Sequence, residues 1–242
     1  RISFCEYGMI RLLKNSFLEL VKKGRRGKKM KLKKILYACI IGGIIFMSFG
    51  CNPRNNRAYL EKRIGTEMSR VYPTERLEDL FEQFPDGFKI KQSFKDEAYI
   101  IHVELVATNK GEPIIGTISK IENKSREKIF ETNFQYQDGK YQFANESDEA
   151  YWPYQGFLFE KLTLNRDVLS KLDLEEKFYS MMNGDFELRY KVTNELINSF
   201  LGLGKSEQLS ISLEGSNGNR GYYYSIVIKN AEGLYFTETV SD

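Results

Sequence analysis

Cys51 is the residue of this sequence with the most clearly defined chemistry. It ends residues 30–51, in which a lysine-rich start is followed by an apolar run over residues 35–49 and by the small residue Gly50. A basic segment before an apolar run too short to span a bilayer is typical of a cleaved signal peptide. The Gly-Cys end predicts a lipoprotein signal, with cleavage between Gly50 and Cys51. Cys51 would then carry a thioether-linked diacylglycerol and an acyl group on its new amino terminus.

Two other interpretations of residues 30–51 remain open. Ser48 stands three residues before Cys51, where lipoprotein signals usually carry Leu. An uncleaved membrane anchor needs about 20 apolar residues, and a buried helix does not require the basic start. The length and the flanks of the run favour the cleaved signal.

Residues 1–29 are predicted to be a translated leader that is not native, with Met30 as the true start. They begin with Arg1 and end in a basic block, residues 22–29. An authentic basic arm for nucleic acid or anionic lipid is the alternative. Residues 51–242 hold 24 Lys or Arg and 31 Asp or Glu, a formal charge of −7. This balance argues against nucleic-acid binding, because few cations remain to neutralise phosphates.

The residues downstream of Cys51 predict no catalytic, cofactor or metal site. His102 is the only histidine, and its place beside Glu104 on the outer phase of an alternating strand favours a solvated side chain. Residues 204–206 resemble the end of a phosphate-binding loop. Ser199 stands where that loop requires glycine, and a strand rather than a helix is predicted to follow.

Aromatic residues offer a candidate partner surface. Trp152 and Tyr154 flank a proline, and Tyr223 is the middle residue of three consecutive tyrosines. Alternate residues of a strand face opposite sides, so Tyr223 is expected to point away from the core. Covering of this face by a helical segment over residues 155–182 is the alternative.

The periodicity predicts how these residues are positioned. A lipidated tether, residues 51–57, precedes a single α+β domain, residues 58–242, built as an antiparallel sheet with flanking helices. Apolar residues at helical spacing predict a helix over 58–71 and a short helix after Thr74, and the sheet begins after Gly87. Alternating residues predict strands at 98–107, 114–121, 128–136, 141–143, 186–192, 209–214, 222–229 and 234–240. Residues 155–182 are predicted to be mostly helical.

Several stretches together resemble the tandem-type lipoproteins of Gram-positive cocci, also called the conserved staphylococcal antigen family. The stretches are the lipobox ending at Cys51, Tyr72–Phe81, Gly116–Phe134, Leu188–Asn194, Leu213–Gly218 with Gly221, and Leu234–Phe236 with Thr239 and Val240. Their order and spacing carry the resemblance. The sequence departs from the family at residues 95–99, where members usually carry Asp-Lys-Gly-Thr-Trp.

The resemblance implies a non-enzymatic surface lipoprotein that stimulates innate immunity through its lipid and takes part in attachment to host cells or entry into them. The sequence therefore predicts a protein anchored through Cys51 on the extracellular face of a Gram-positive cell membrane, binding a host or envelope protein. A solute-binding lipoprotein of a transporter is the alternative. A cell-wall hydrolase would need two carboxylates about 5 to 10 Å apart in a cleft.

Overall fold

An antiparallel sheet of ten strands organises the domain in the computed structural model, which describes residues 53–95, 98–216 and 221–242. The described residues belong to one compact unit. The strands are β1 (Phe88–Lys95), β2 (Tyr99–Ala107), β3 (Ile114–Glu122), β4 (Lys128–Gln137), β5 (Lys140–Phe143), β6 (Asp173–Tyr179), β7 (Asp185–Val192), β8 (Leu209–Ser216), β9 (Tyr223–Lys229) and β10 (Tyr235–Ser241).

The strand order across the sheet is β5-β4-β3-β2-β1-β10-β9-β8-β7-β6. The first five strands run outward from the centre, and residues 144–172 then cross the sheet to reach β6 at the other edge. The remaining strands run back inward until β10 pairs with β1. Short connections between neighbouring strands require antiparallel pairing, and the predicted antiparallel sheet is confirmed.

One face of the sheet is covered and the other is open. The covering elements are three helices and four short 3₁₀ helices: α1 (Arg57–Met68), α2 (Arg166–Leu169), α3 (Glu195–Phe200), Pro53–Asn55, Leu77–Glu82, Glu146–Tyr151 and Leu158–Glu160. Alternation sets the two faces: in β1, Ile90 and Phe94 are buried under the covering layer, whereas Lys91 is exposed on the open face. The fold is mainly β, with less helix than the sequence predicts.

The first helix forms close to where the periodicity places it. Asn56 caps it, its Oδ1 accepting from the backbone N–H of Ala58 at 2.9 Å. Leu60, Ile64 and Met68 are fully buried along one face. The helix ends at Met68, three residues before the predicted end, and the second predicted helix is the 3₁₀ helix Leu77–Glu82.

The prediction of a mostly helical segment over residues 155–182 is wrong. The segment contains only short helices and then β6, an edge strand that pairs with β7 through the turn at Gly184. Glu and Lys in β6 favour a helix locally. The hairpin prevails because Gly184, at a φ of 76°, lets the chain reverse and β7 supplies a complete row of pairing groups. Charges and a register shift after Leu174 protect the exposed edge.

Candidate functional site

Trp152 lies in the core and not on a partner surface, which corrects the sequence prediction. Its side chain is 0% exposed, and its Nε1–H donates to Gln92 Oε1 at 2.8 Å. The indole packs against the rings of Phe134 and Phe157, with centroids 5.3 and 5.2 Å away. A buried tryptophan needs a partner for its N–H, and β1 supplies that partner from an inward-facing position.

Tyr154 is partly buried against the same core. Its ring stacks on Phe200 of α3 at 5.2 Å and meets the edges of Phe94 and Phe236 at 4.8 and 5.5 Å. These contacts make Tyr154 a packing residue that links α3 to the centre of the sheet. Its side chain is nevertheless partly exposed, so its place on a partner surface stays a prediction.

Tyr223 is exposed on the open face, as the alternation predicts. It is 54% exposed, while Tyr222 and Tyr224 on either side are each 5% exposed. No helix of the described residues covers Tyr223, because the segment expected to do so forms β6 and short helices on the opposite side. Of the three aromatic residues selected from the sequence, Tyr223 is the most exposed.

A buried carboxylate at the centre of the sheet is the feature that sequence reasoning missed. Glu238 in β10 is 0% exposed, and each of its oxygens accepts two hydrogen bonds. Oε1 accepts from Tyr72 Oη at 3.1 Å and from the backbone N–H of Phe159 at 3.0 Å. Oε2 accepts from Gln92 Nε2 at 3.2 Å and from the backbone N–H of Leu158 at 2.7 Å.

The Glu238 carboxylate has a structural rather than a catalytic arrangement. Burial raises its pKa to about 7, and the donors from Leu158, Gln92, Phe159 and Tyr72 oppose that rise. All four acceptor positions are occupied, and the side chain is sealed from solvent. Glu160, whose carboxylate accepts from Tyr141 Oη at 2.8 Å and whose pKa burial also raises, is bound in the same covering layer. Glu238 therefore cannot meet a substrate in this conformation.

The sequence carries a faint signal for this network. In β10, Glu238 occupies the same phase as the buried residues Phe236 and Val240. In β1, Gln92 falls between the buried Ile90 and Phe94. A polar residue in the apolar phase of an alternating strand indicates a buried hydrogen-bonded group, and here the two such positions face each other across β1 and β10.

The open face carries polar side chains paired with one another near the centre of the sheet. His102 lies there beside Glu104, which confirms its predicted position, and its Nδ1 is 2.6 Å from Ser93 Oγ. Lys89 and Lys91 contact the two oxygens of Glu104 at 3.2 and 3.1 Å. Burial and then the charge of Lys91 lower the pKa of His102, so this imidazole is neutral near pH 7.

Near the β6 edge, the open face has a shallow acidic pocket of about 350 Å³. Phe178 and Tyr223 form part of its lining, and Asp185, Glu187 and Glu214 contribute carboxylates. Burial and the nearby Glu187 raise the pKa of Glu214. The pocket combines aromatic surface with negative charge, which suits contact with a cationic group.

Arg189 organises the carboxylates beside this pocket. Its guanidinium donates to Glu187 at 2.7 Å, to Glu176 at 2.5 Å and to Ser212 Oγ at 3.2 Å. Within the described ranges, no three His, Cys, Asp or Glu side chains are placed to hold a metal ion. Ser212 Oγ accepts from Arg189 and donates to Glu187 Oε1 at 2.7 Å, so its hydroxyl group belongs to the same network.

The start of the described chain lies against β6. Lys177 Nζ donates to the backbone oxygen of Asn55 at 2.5 Å, and the Arg54 guanidinium is hydrogen-bonded to Tyr179. Residues 53–57, part of the predicted tether, are therefore packed on the domain. Gly50 and Cys51 lie outside the described residues, so cleavage and acylation there stay predictions.

In the part of the chain that the structure describes, the helices are too short or too polar to cross a membrane. No protein-family model matches the chain, and no curated protein is found as a match. The resemblance to the tandem-type lipoproteins thus stays a prediction.

Proposed function

We propose that this chain is a non-enzymatic, lipid-anchored protein of a Gram-positive cell surface, held by the acylated amino-terminal residue Cys51. The observation that carries the proposal is the position of the folded domain relative to the signal. The 3₁₀ helix Pro53–Asn55 lies two residues after Cys51 in the sequence, and the chain continues from it into a domain with its own core. Cleavage before Cys51 would remove the signal and leave the domain whole.

The lipid supplies the anchor in this proposal. A single acyl chain gives marginal membrane binding, whereas two or more chains hold a protein stably. Thioether-linked diacylglycerol on Cys51 provides two chains, and an acyl group on the amino terminus adds a third.

The open face of the sheet supplies the binding surface. It presents Tyr223 and Phe178, each more than half exposed, beside the acidic pocket, and the other face is occupied by the covering layer. The partner proposed from the family resemblance is a host-cell or envelope protein, with attachment, entry and immune stimulation as the outcomes.

The test replaces Cys51 with Ala in the native cells. We expect the Cys51→Ala protein to lose incorporation of a fatty-acid analogue and to leave the membrane fraction, because no other residue of the mature chain offers a thiol. Its matched control is Ser69→Ala, which removes an exposed hydroxyl group from the end of α1 and leaves the signal intact. Equal labelling and equal membrane retention of the Cys51→Ala protein would refute the anchor.

The solute-binding alternative requires a cleft between two lobes. The described residues form a single sheet with one covering layer, and Glu238 and Trp152 fill the space beneath that layer. Nothing in this arrangement favours a solute site over a surface for a macromolecular partner.

A further inference from the structure

The tip of the β6–β7 hairpin carries two adjacent methionines with almost no protein contact. Met181 is 78% exposed and Met182 is 100% exposed, more than any other large apolar side chain among the described residues. Transfer of a methionine side chain from water into an apolar environment is favourable. Single exposed apolar residues are ordinary, but a projecting pair favours an apolar environment outside the domain.

The hairpin lies beside the start of the described chain. Arg54 is hydrogen-bonded to Tyr179 of β6, two residues before Met181. The backbone oxygen of Asn55 accepts a hydrogen bond from Lys177 in the same strand. Two residues separate Pro53 from Gly50, and a fully extended chain spans only about 3.3–3.6 Å per residue. A lipid on Cys51 would therefore enter the membrane within roughly 10 Å of Pro53.

The charges around the tip suit a phospholipid surface. Arg54 is exposed, and both Arg54 and Lys177 lie on the strand side of the tip, where they can meet headgroup phosphates while the methionines reach deeper. Asp185, the first carboxylate after the tip in the sequence, is hydrogen-bonded to Asn183 and lines the acidic pocket on the open face. Glu187 on the open face is paired with Arg189.

We propose that Met181 and Met182 insert into the bilayer interface as a second membrane contact and fix the orientation of the domain. The inference rests on the proposed anchoring at Cys51, which brings this corner to the membrane. The acyl chains supply most of the affinity, and the hairpin determines which side of the domain faces the lipid. Unbranched methionine side chains adapt to many apolar environments, and the position of the tip beside the start of the described chain favours lipid.

The test places an environment-sensitive fluorophore on the tip of the lipidated protein in phospholipid vesicles. In a Cys5→Ala, Cys39→Ala background, the Met182→Cys variant is labelled and compared with Ala231→Cys, which puts the same probe on the exposed turn between β9 and β10 at the opposite end of the sheet. The mass of each purified protein reports acylation of Cys51 independently.

We expect a blue shift and several-fold stronger quenching by lipid-borne quenchers at position 182 than at position 231. The control variant shows how far the probe's own affinity for lipid contributes. If the protein is acylated and the probe at 182 remains in water, the second membrane contact is refuted. The anchor at Cys51 is not refuted by that result. A missing acyl mass refutes the anchor, and with it the contact that rests on the anchor. A blue shift without lipid quenching means that protein covers the tip, which also overturns the proposal.

Discussion

Among single residues, Glu238 stabilises the domain through its buried hydrogen bonds. Its two oxygens join strand β10 to the covering layer, and each accepts one backbone N–H, from Leu158 or from Phe159. Backbone N–H groups cannot rotate away as side chains can. Both oxygens of the Glu238 carboxyl group must therefore accept a hydrogen bond. A carboxyl oxygen keeps a lone pair for this purpose whether or not the group is protonated.

The Glu238→Gln substitution is therefore expected to destabilise the fold despite its identical shape. Whichever oxygen the amide nitrogen replaces, the nitrogen faces a backbone donor, and a buried unsatisfied polar group costs about 1–3 kcal/mol. Chemical denaturation at pH 5, followed by the fluorescence of the buried Trp152, measures the loss. Glu232→Gln, the same change at an exposed turn position, is the control and should leave the midpoint unchanged. Equal midpoints for the two variants would contradict the role of Glu238.

The same carboxyl group predicts a pH dependence. Its pKa is about 7 in the folded protein, above its ordinary value of 4.5, so the folded state binds more protons between these values. The stability that Glu238 contributes is complete below pH 4.5 and is lost as the pH rises through 7, by on the order of 3 kcal/mol. The difference in unfolding free energy between the unsubstituted protein and Glu238→Gln should narrow from pH 4.5 to pH 8. A difference that widens over this range would contradict the raised pKa.

Single-residue features were predictable where they depend on strand alternation alone. Tyr223 and His102 lie on the open face because each follows the alternation of buried and exposed residues in its strand. Trp152 was misplaced because its burial depends on Gln92, 60 residues away in sequence. A local sequence pattern cannot identify a hydrogen-bond partner that is so far away in the sequence.

At the scale of secondary-structure elements, α1 packs closely against α2. Gly65 lies where a Cβ atom would be 2.4 Å from the backbone nitrogen of Arg166. Backbone atoms cannot move aside as a flexible side chain can, so the two helices approach closely only because this position lacks a side chain.

The Gly65→Ala substitution should destabilise the domain by up to about 2 kcal/mol. Alanine improves helix propensity by about 1 kcal/mol, and the clash with Arg166 costs more, since overpacking typically costs 1–3 kcal/mol and backbone must shift. Gly204→Ala is the matched control because nothing lies within 4 Å of the added Cβ. Thermal unfolding of both variants measures the effect; a stabilised Gly65→Ala protein would show that the helices separate freely.

Most strands were predictable as elements, and β6 was not. Turn residues and alternation mark the strands from β2 to β5 and from β7 to β10 locally. In β6, Glu175 and Glu176 interrupt the alternation at a register shift, and much of the strand is exposed at the sheet edge. Its conformation is set by pairing with β7, a tertiary interaction that intrinsic propensity does not report.

At the scale of the whole molecule, the packed core lies on one face of the sheet and the proposed binding surface lies on the other. Three positions in the family-like stretches serve packing: Tyr72 binds Glu238, Gly116 makes room for the ring of Phe134, and Gly215 makes room for the ring of Tyr224. These three positions all maintain the covered side of the sheet. The open face, with Tyr223 and the acidic pocket, is left to interact.

The chemical state of Cys51 in the native cell tests the proposed anchor most directly. Mass spectrometry of the protein extracted from membranes should find an amino-terminal peptide that begins at Cys51 and carries the added mass of a diacylglycerol and an acyl group. Peptides upstream of Cys51 should be absent from this mature form. An unmodified peptide that runs continuously from Phe49 through Pro53 in the membrane-bound protein would contradict the account.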